Sequence, residues 1–149
     1  MDTKIVPGVV KEQSIATLNP ADSVMDAVNM MTERKIGAVI IVDKNARLAG
    51  FFTERDIVNR VVVKGLDAAS TPLKQVMTTN PDTLAPGDTA MNALELMSAR
   101  RYRHLPVLDG ENVVGMVSIR DLFNVVKAQL EEDLREREKF IFGSDYGVA

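Results

Sequence analysis

The chain has no cysteine among its 149 residues. Disulfide bonds and thiol chemistry are therefore excluded, and a reducing compartment is permitted. It has one histidine, His104, no phosphate loop of the G-x-x-x-x-G-K-S/T kind and no H-E-x-x-H metal motif. These gaps argue against an enzyme such as a nucleotide hydrolase. No apolar run approaches the roughly 20 residues needed to span a bilayer, so no membrane partner is expected. The start, Met1-Asp2-Thr3-Lys4-Ile5, is not a secretory signal, which makes the cytosol the expected location. Nor is there an excess of basic charge, because the net charge is −3 and the pI is near 5.2. A nucleic-acid binder usually carries a basic face, so that reading survives only as a minor one, resting on a local patch at Arg100, Arg101 and Arg103. With 46% hydrophobic and 26% charged residues, the chain reads as soluble and globular, one domain or two small halves sharing a core.

What is present is a duplication. Asp22-Ser23-Val24-Met25-Asp26-Ala27-Val28 returns 66 positions later as Asp88-Thr89-Ala90-Met91-Asn92-Ala93-Leu94. Gly50-Phe51-Phe52-Thr53-Glu54-Arg55-Asp56 returns 65 positions later as Gly115-Met116-Val117-Ser118-Ile119-Arg120-Asp121. The one-residue slip falls in a turn, where Asp43 to Arg47 faces the shorter Asp109 to Asn112. Two like units about a pseudo-twofold axis create two equivalent clefts.

Each unit reads β-α-β-β-α, an α+β fold. Val24, Ala27, Val28 and Met31 follow the spacing of one buried helix face. Ala38 to Val42 is a continuous, mostly β-branched run, as in a strand covered on both sides. The second unit repeats the order with a short strand at Thr83-Leu84, a helix over about 89–101, strands at 104–108 and 113–117, and a helix from Ile119. In the linker, Thr71-Pro72 predicts a helix start with a capping hydroxyl and Pro at the first position. The expected boundaries are 8–64, a linker over 65–80, 81–127, and a C-terminal extension over 128–149. The last helix is predicted to run on through Lys139 with apolar residues at Val126, Leu130 and Leu134. That stripe is either a solvated helix end or a surface for a partner subunit. Beyond it, Phe140, Ile141, Phe142 and Tyr146 form an aromatic tail expected to dock on this chain or a neighbour.

Thr53-Glu54-Arg55-Asp56 and Ser118-Ile119-Arg120-Asp121 sit where a strand becomes a helix. A hydroxyl followed three residues later by an acid is also an ordinary capping box. Three features favour a ligand: the duplication, the Arg before each Asp, and the helix N-terminus, where free N–H groups favour phosphate. A carboxylate there repels phosphate but can accept from two neighbouring ribose hydroxyls, while Arg55 or Arg120 suits phosphate oxygens. The combination points to a ribonucleotide. Before the second strand of each unit, one repeat has Lys35-Ile36-Gly37-Ala38 and the other has Arg100-Arg101-Tyr102-Arg103-His104-Leu105-Pro106. The four basic groups of the second stretch, Arg100, Arg101, Arg103 and His104, are either ligands for two or three phosphates or solvated charges favoured at a helix C-terminus. On this count the cleft around Asp121 is expected to be the stronger.

These motifs, with Leu105-Pro106-Val107-Leu108-Asp109 between them, resemble the CBS domain, and two in tandem resemble a Bateman module over about residues 8–127. The resemblance implies regulatory binding of AMP, ADP or ATP, or else NAD(H) or S-adenosylmethionine, with no required cofactor and Mg²⁺ only alongside a nucleotide. It implies ribose contacts at Asp56 and Asp121 beside Thr53 and Ser118. Base and phosphate contacts fall at Ile36, Gly37 and Ala38, and at Tyr102, Arg103, His104 and Pro106. Ile40 stands where the other repeat has Pro106, and Gly37 and Ala38 carry no charge, which weakens that half's phosphate grip. It further implies clefts between the two repeats, each drawing from both, a homodimer and an effector protein as partner. The competing reading is an interaction protein with degenerate clefts.

Overall fold

The computed structural model describes residues 3–11 and 15–146, with side chains as far as Ile141. Helix α1 (Val24–Arg34) starts at a reciprocal capping box, with Ser23 Oγ accepting from the Asp26 N–H and the Asp26 carboxylate accepting from the Ser23 N–H. It stops where Lys35 turns left-handed, at φ 54°. Helix α4 (Ala90–Arg100) is its copy, with a Thr89–Asn92 box and a left-handed Arg101 at φ 58°. Each helix buries three small or flexible residues, Val24, Ala27 and Met31 in α1 and Ala90, Ala93 and Met97 in α4.

The first sheet has four strands, in the order β1 (Thr17–Leu18), β2 (Ala38–Val42), β3 (Leu48–Thr53) and β4 (Thr78–Thr79). Strand β1 is parallel to β2, which pairs antiparallel with β3. All five residues of β2 are buried, as its apolar run predicts. The second sheet pairs β5 (His104–Asp109) with β6 (Asn112–Ser118). Its expected first strand reduces to one parallel bridge, Leu84 to Val107. Both hairpins shift register at the same place, between Ile41 and Val42 and between Val107 and Leu108.

The two units exchange segments. Ile5 and Val10 are buried in the second unit's core with Leu105, Val107, Val117 and Leu122. Conversely Leu73 and Val76, from short helix α3 (Leu73–Val76), are buried in the first unit's core with Val39, Ile41 and Phe52. Strand β4 (Thr78–Thr79) then joins the first sheet beside β3. Main-chain bonds tie both exchanges: Ile5 N–H donates to the Asp88 carbonyl (2.8 Å), and Leu73 N–H to the Asp22 carbonyl (2.8 Å). Full burial of Ile5 and of Leu73 stabilises the pairing by roughly 1.5–3 kcal/mol each. The glycines that open the second repeated motif make room for the exchange. An added Cβ at Gly50 would run into the Thr78 carbonyl, and one at Gly115 would touch Val10 at 3.6 Å.

Two local expectations change. Helix α3 begins with Pro72 as its N-cap, and no side chain caps it. Thr71 is instead buried, its carbonyl accepting from the Val24 N–H. The last helix, α5, runs from Ile119 to Tyr146, so the tail is helical rather than a separate segment. Phe140, 79% exposed, is not docked on this chain, and the side chains of Phe142 and Tyr146 lie outside the described residues.

Candidate functional site: two crossed clefts

Both motifs form reciprocal capping boxes, so the structural role read from the sequence is real. Ser118 N–H donates to Asp121 Oδ2 (2.9 Å) and Asp121 N–H to Ser118 Oγ (3.1 Å). Thr53 N–H donates to Asp56 Oδ2 (3.0 Å) and Asp56 N–H to Thr53 Oγ1 (3.3 Å). Each box occupies one carboxylate oxygen and leaves the other for a further partner.

Each helix start, α2 (Glu54–Asp56) in the first unit and α5 in the second, is pinned to the residue just before the second strand of its own unit. Glu54 N–H donates to the Gly37 carbonyl (3.1 Å) and Ile119 N–H to the Arg103 carbonyl (2.8 Å). The clefts themselves are crossed. A cleft of about 780 Å³ brings Ser118, Arg120 and Asp121 of the second repeat to Ile36, Gly37 and Ala38 of the first. A smaller cleft of about 370 Å³ brings Thr53, Arg55 and Asp56 of the first repeat to Tyr102, Arg103 and His104 of the second. Phe51 and Tyr102 meet edge to face across this cleft, with centroids 6.1 Å apart.

The crossing redistributes the basic cluster that the sequence assigned to Asp121. Arg101 and Tyr102 line the Asp56 cleft, Arg103 and His104 line both, and Arg100 lines neither. Arg100 instead lies 3.6 Å from an Asp82 carboxylate oxygen. The Asp121 cleft draws its cations from Arg34, Lys35, Arg103 and Arg120. Pro106 lines neither cleft. It lies buried within the second sheet, its carbonyl accepting from the Leu84 N–H (2.9 Å). Lys35, which closes α1 in a left-handed turn as Arg101 closes α4, is a cleft residue that the sequence alone does not single out.

His104 stands between the clefts. Its ring would lie 3.4 Å from a Cβ on Gly37, and the Glu54 carboxyl 3.7 Å from the same point. Burial pushes its pKa below the usual histidine value and Arg103 adds to this, while Asp121 and Glu54 pull the other way. Among the described residues no group of three or more His, Asp or Glu side chains forms a metal site. No helix among them is long and apolar enough to cross a membrane.

Comparison with known proteins agrees with this architecture. The CBS domain model matches twice, at residues 4–63 and 73–128. A CBS domain-containing protein of Arabidopsis thaliana, the mitochondrial CBSX3, is 35% identical over 126 residues, 82% of this chain and 61% of that protein. YhcV of Bacillus subtilis, also a CBS domain-containing protein, is 33% identical over 72% of this chain and 76% of its own. A solved structure of a protein with CBS domains from Burkholderia ambifaria is 36% identical, with a TM-score of 0.74 over 78% of this chain and 85% of its own. Several other Arabidopsis relatives are much longer, and in one of them the chain spans 24% of the length. The chain belongs to the CBS-domain family and carries two CBS repeats. CBS pairs are generally regulatory ligand-binding modules rather than enzymes.

Proposed function

We propose that this CBS pair binds adenosine nucleotides in its crossed clefts and passes the bound state to a partner protein. The observation that carries this is the Asp121 carboxylate. One oxygen holds the capping box, and the other has no hydrogen-bond or ion-pair partner among the described residues while its residue lines the larger cleft. That oxygen can accept from the two neighbouring hydroxyls of a ribose. Main-chain groups at Ile36 to Ala38 lie across the cleft for a base, and Arg34, Lys35, Arg103 and Arg120 supply positive charge for phosphates. With four cations against one carboxylate, the lining favours an anionic nucleotide over a neutral nucleoside. AMP, ADP and ATP fit this chemistry, NAD(H) and S-adenosylmethionine share the ribose contact, and Mg²⁺ would enter only on the nucleotide. No turnover is expected, and the cytosol remains the expected location.

A ligand that binds only the folded state raises its melting temperature. A thermal-shift series with AMP, ADP, ATP, NADH, S-adenosylmethionine and GTP tests the reading. At a hundred times Kd the gain is about 2.7 kcal/mol, or roughly 5–10 °C for a chain of this size. A selective rise that Asp121→Ala reduces and Asp56→Ala/Asp121→Ala abolishes is the expected outcome. No rise with any of them at millimolar concentration sinks the proposal and favours an interaction scaffold. Self-association is a second reading, supported by Val58 and Phe123, equivalent positions of the two repeats, which are 56% and 63% exposed. Sedimentation of Phe123→Glu against the unaltered chain tests it.

A further inference from the structure

We infer that Arg60 is a built-in competitor for the ribose position of the smaller cleft, so that the two clefts differ in affinity and the Asp121 cleft fills first. The inference rests on the nucleotide reading above and concerns what distinguishes its two sites. Arg60 Nε lies 3.4 Å from Asp56 Oδ1, the oxygen the capping box leaves over. The same side chain donates through Nη1 to the Val76 carbonyl at 3.0 Å. It is thereby anchored at both ends, to the carboxylate and to the exchanged segment that leads into β4. The position equivalent to Arg60 in the second repeat is Val125, which cannot make either contact.

The backbone differs at the same place. After Asp56 the first unit's helix widens into a π-helical stretch, Ile57–Val62, with Val63 N–H donating to the Val58 carbonyl (3.0 Å). The second unit's helix continues from Asp121 as an ordinary α-helix. Wide turns of this kind often mark functional positions. The lining charge points the same way: four arginines face Glu54 and Asp56 in the smaller cleft, and one of the four is spent on Asp56. A ribose entering there must displace Arg60 from Asp56 or share the carboxylate with it. The Asp56 carboxylate is 14% exposed and the Arg60 side chain 45%, so the pair is partly screened. Its competition is worth roughly fivefold to tenfold in affinity.

The test is calorimetric titration of the full chain with AMP and with ATP. The unaltered protein should show two classes of site, and Asp121→Ala should remove the tighter one. Arg60→Gln and Arg60→Leu should each bring the weaker class closer to the tighter by roughly fivefold to tenfold. In Arg60→Gln/Asp121→Ala one site should remain, and adding Asp56→Ala should remove it. Gln retains a donor for the Val76 carbonyl, so it separates loss of the ion pair from loss of that anchor, and circular dichroism checks folding. If nucleotide binds but neither Arg60 variant narrows the gap, the Arg60 assignment alone fails. If the Arg60 variants weaken the second class, Arg60 holds phosphate and the assignment is reversed. If no variant binds either nucleotide, the nucleotide reading falls and takes this inference with it.

Discussion

Asp121 performs a structural task and is proposed to perform a binding task, and the two can be separated by substitution. Its Oδ2 accepts from the Ser118 N–H at 2.9 Å to close the capping box. Removing that acceptor leaves a part-buried donor unpaired, at a cost of about 1 kcal/mol. Asparagine keeps the acceptor, and the chain already contains the precedent. In the other box of the second repeat Asn92 Oδ1 accepts from the Thr89 N–H at 3.2 Å and Asn92 N–H donates to Thr89 Oγ1 at 3.1 Å. Asp121→Asn should therefore melt within about 2 °C of the unaltered protein, and Asp121→Ala roughly 2–4 °C lower.

Binding should respond in a different order. A hydroxyl donating to a carboxylate is worth about 1.5–3 kcal/mol, and a neutral amide oxygen serves two hydroxyls poorly. Asp121→Asn should weaken AMP in the larger cleft by roughly 10- to 150-fold, with stability nearly intact. Asp121→Ala should weaken it at least as much. Calorimetric titration and thermal melts on the same preparations supply both readings. If Asp121→Asn binds AMP as well as the unaltered chain does, ribose is not held by this carboxylate. If binding is lost only where the melting temperature falls by more than about 10 °C, loss of the capping box alone explains the loss of binding.

Three further outcomes are expected. Gly50→Ala drives a Cβ into the Thr78 carbonyl and should lower the melting temperature by several degrees, a destabilisation of about 1–3 kcal/mol, whereas Gly87→Ala, with open space around it, should be nearly silent; equal melts would refute the close approach of β3 and β4. Ala46 sits left-handed at φ 61° in a turn whose counterpart places Gly110 at φ 62°, so Ala46→Gly should stabilise by about 0.5–1 kcal/mol in denaturant melts, and a loss of stability would count against the strain. Burial lowers the His104 pKa, so its neutral form is the one the fold favours; its contribution is intact above the ordinary histidine pKa and erodes as pH falls below it. Between pH 7.5 and 5.5 the unaltered chain should lose more melting temperature than His104→Gln does, and parallel losses would refute the assignment.

The duplication made most of the fold legible. Capping residues at Ser23 and Thr89, the fully apolar β2 and the paired Gly50 and Gly115 are local signals, and the elements follow them. The exchanged segments were not legible. Ile5 and Leu73 are fully buried, yet Ile5, ahead of the first unit, belongs to the core of the second, and Leu73, after the first unit's last helix, belongs to the core of the first; no local period encodes that choice. Helix α3 shows the same limit: Thr71 looks like a cap because of the Pro that follows, but its burial against α1 removes the hydroxyl from that role. At the site, sequence identified the paired Asp residues and the segments facing them. The resemblance implies that each cleft draws from both repeats, but the residues themselves do not say which segment faces which Asp, because the pairing across the pseudo-twofold axis is a property of packing.

That pairing changes what each repeat does. A repeat with its own complete cleft could diverge in one half without affecting the other. Here the strand start of one repeat faces the helix start of the other, so Arg101 and Tyr102 belong with Asp56, and Arg34 and Lys35 with Asp121. Gly37, Arg103 and His104 line both clefts, which places a cation and a titratable ring between the two. On the proposed reading, a phosphate held in one cleft would act on the same Arg103 that lines the other. Within this arrangement the difference between Arg60 and Val125 acquires its effect: one side chain beside one carboxylate is enough to make two clefts of common origin unequal.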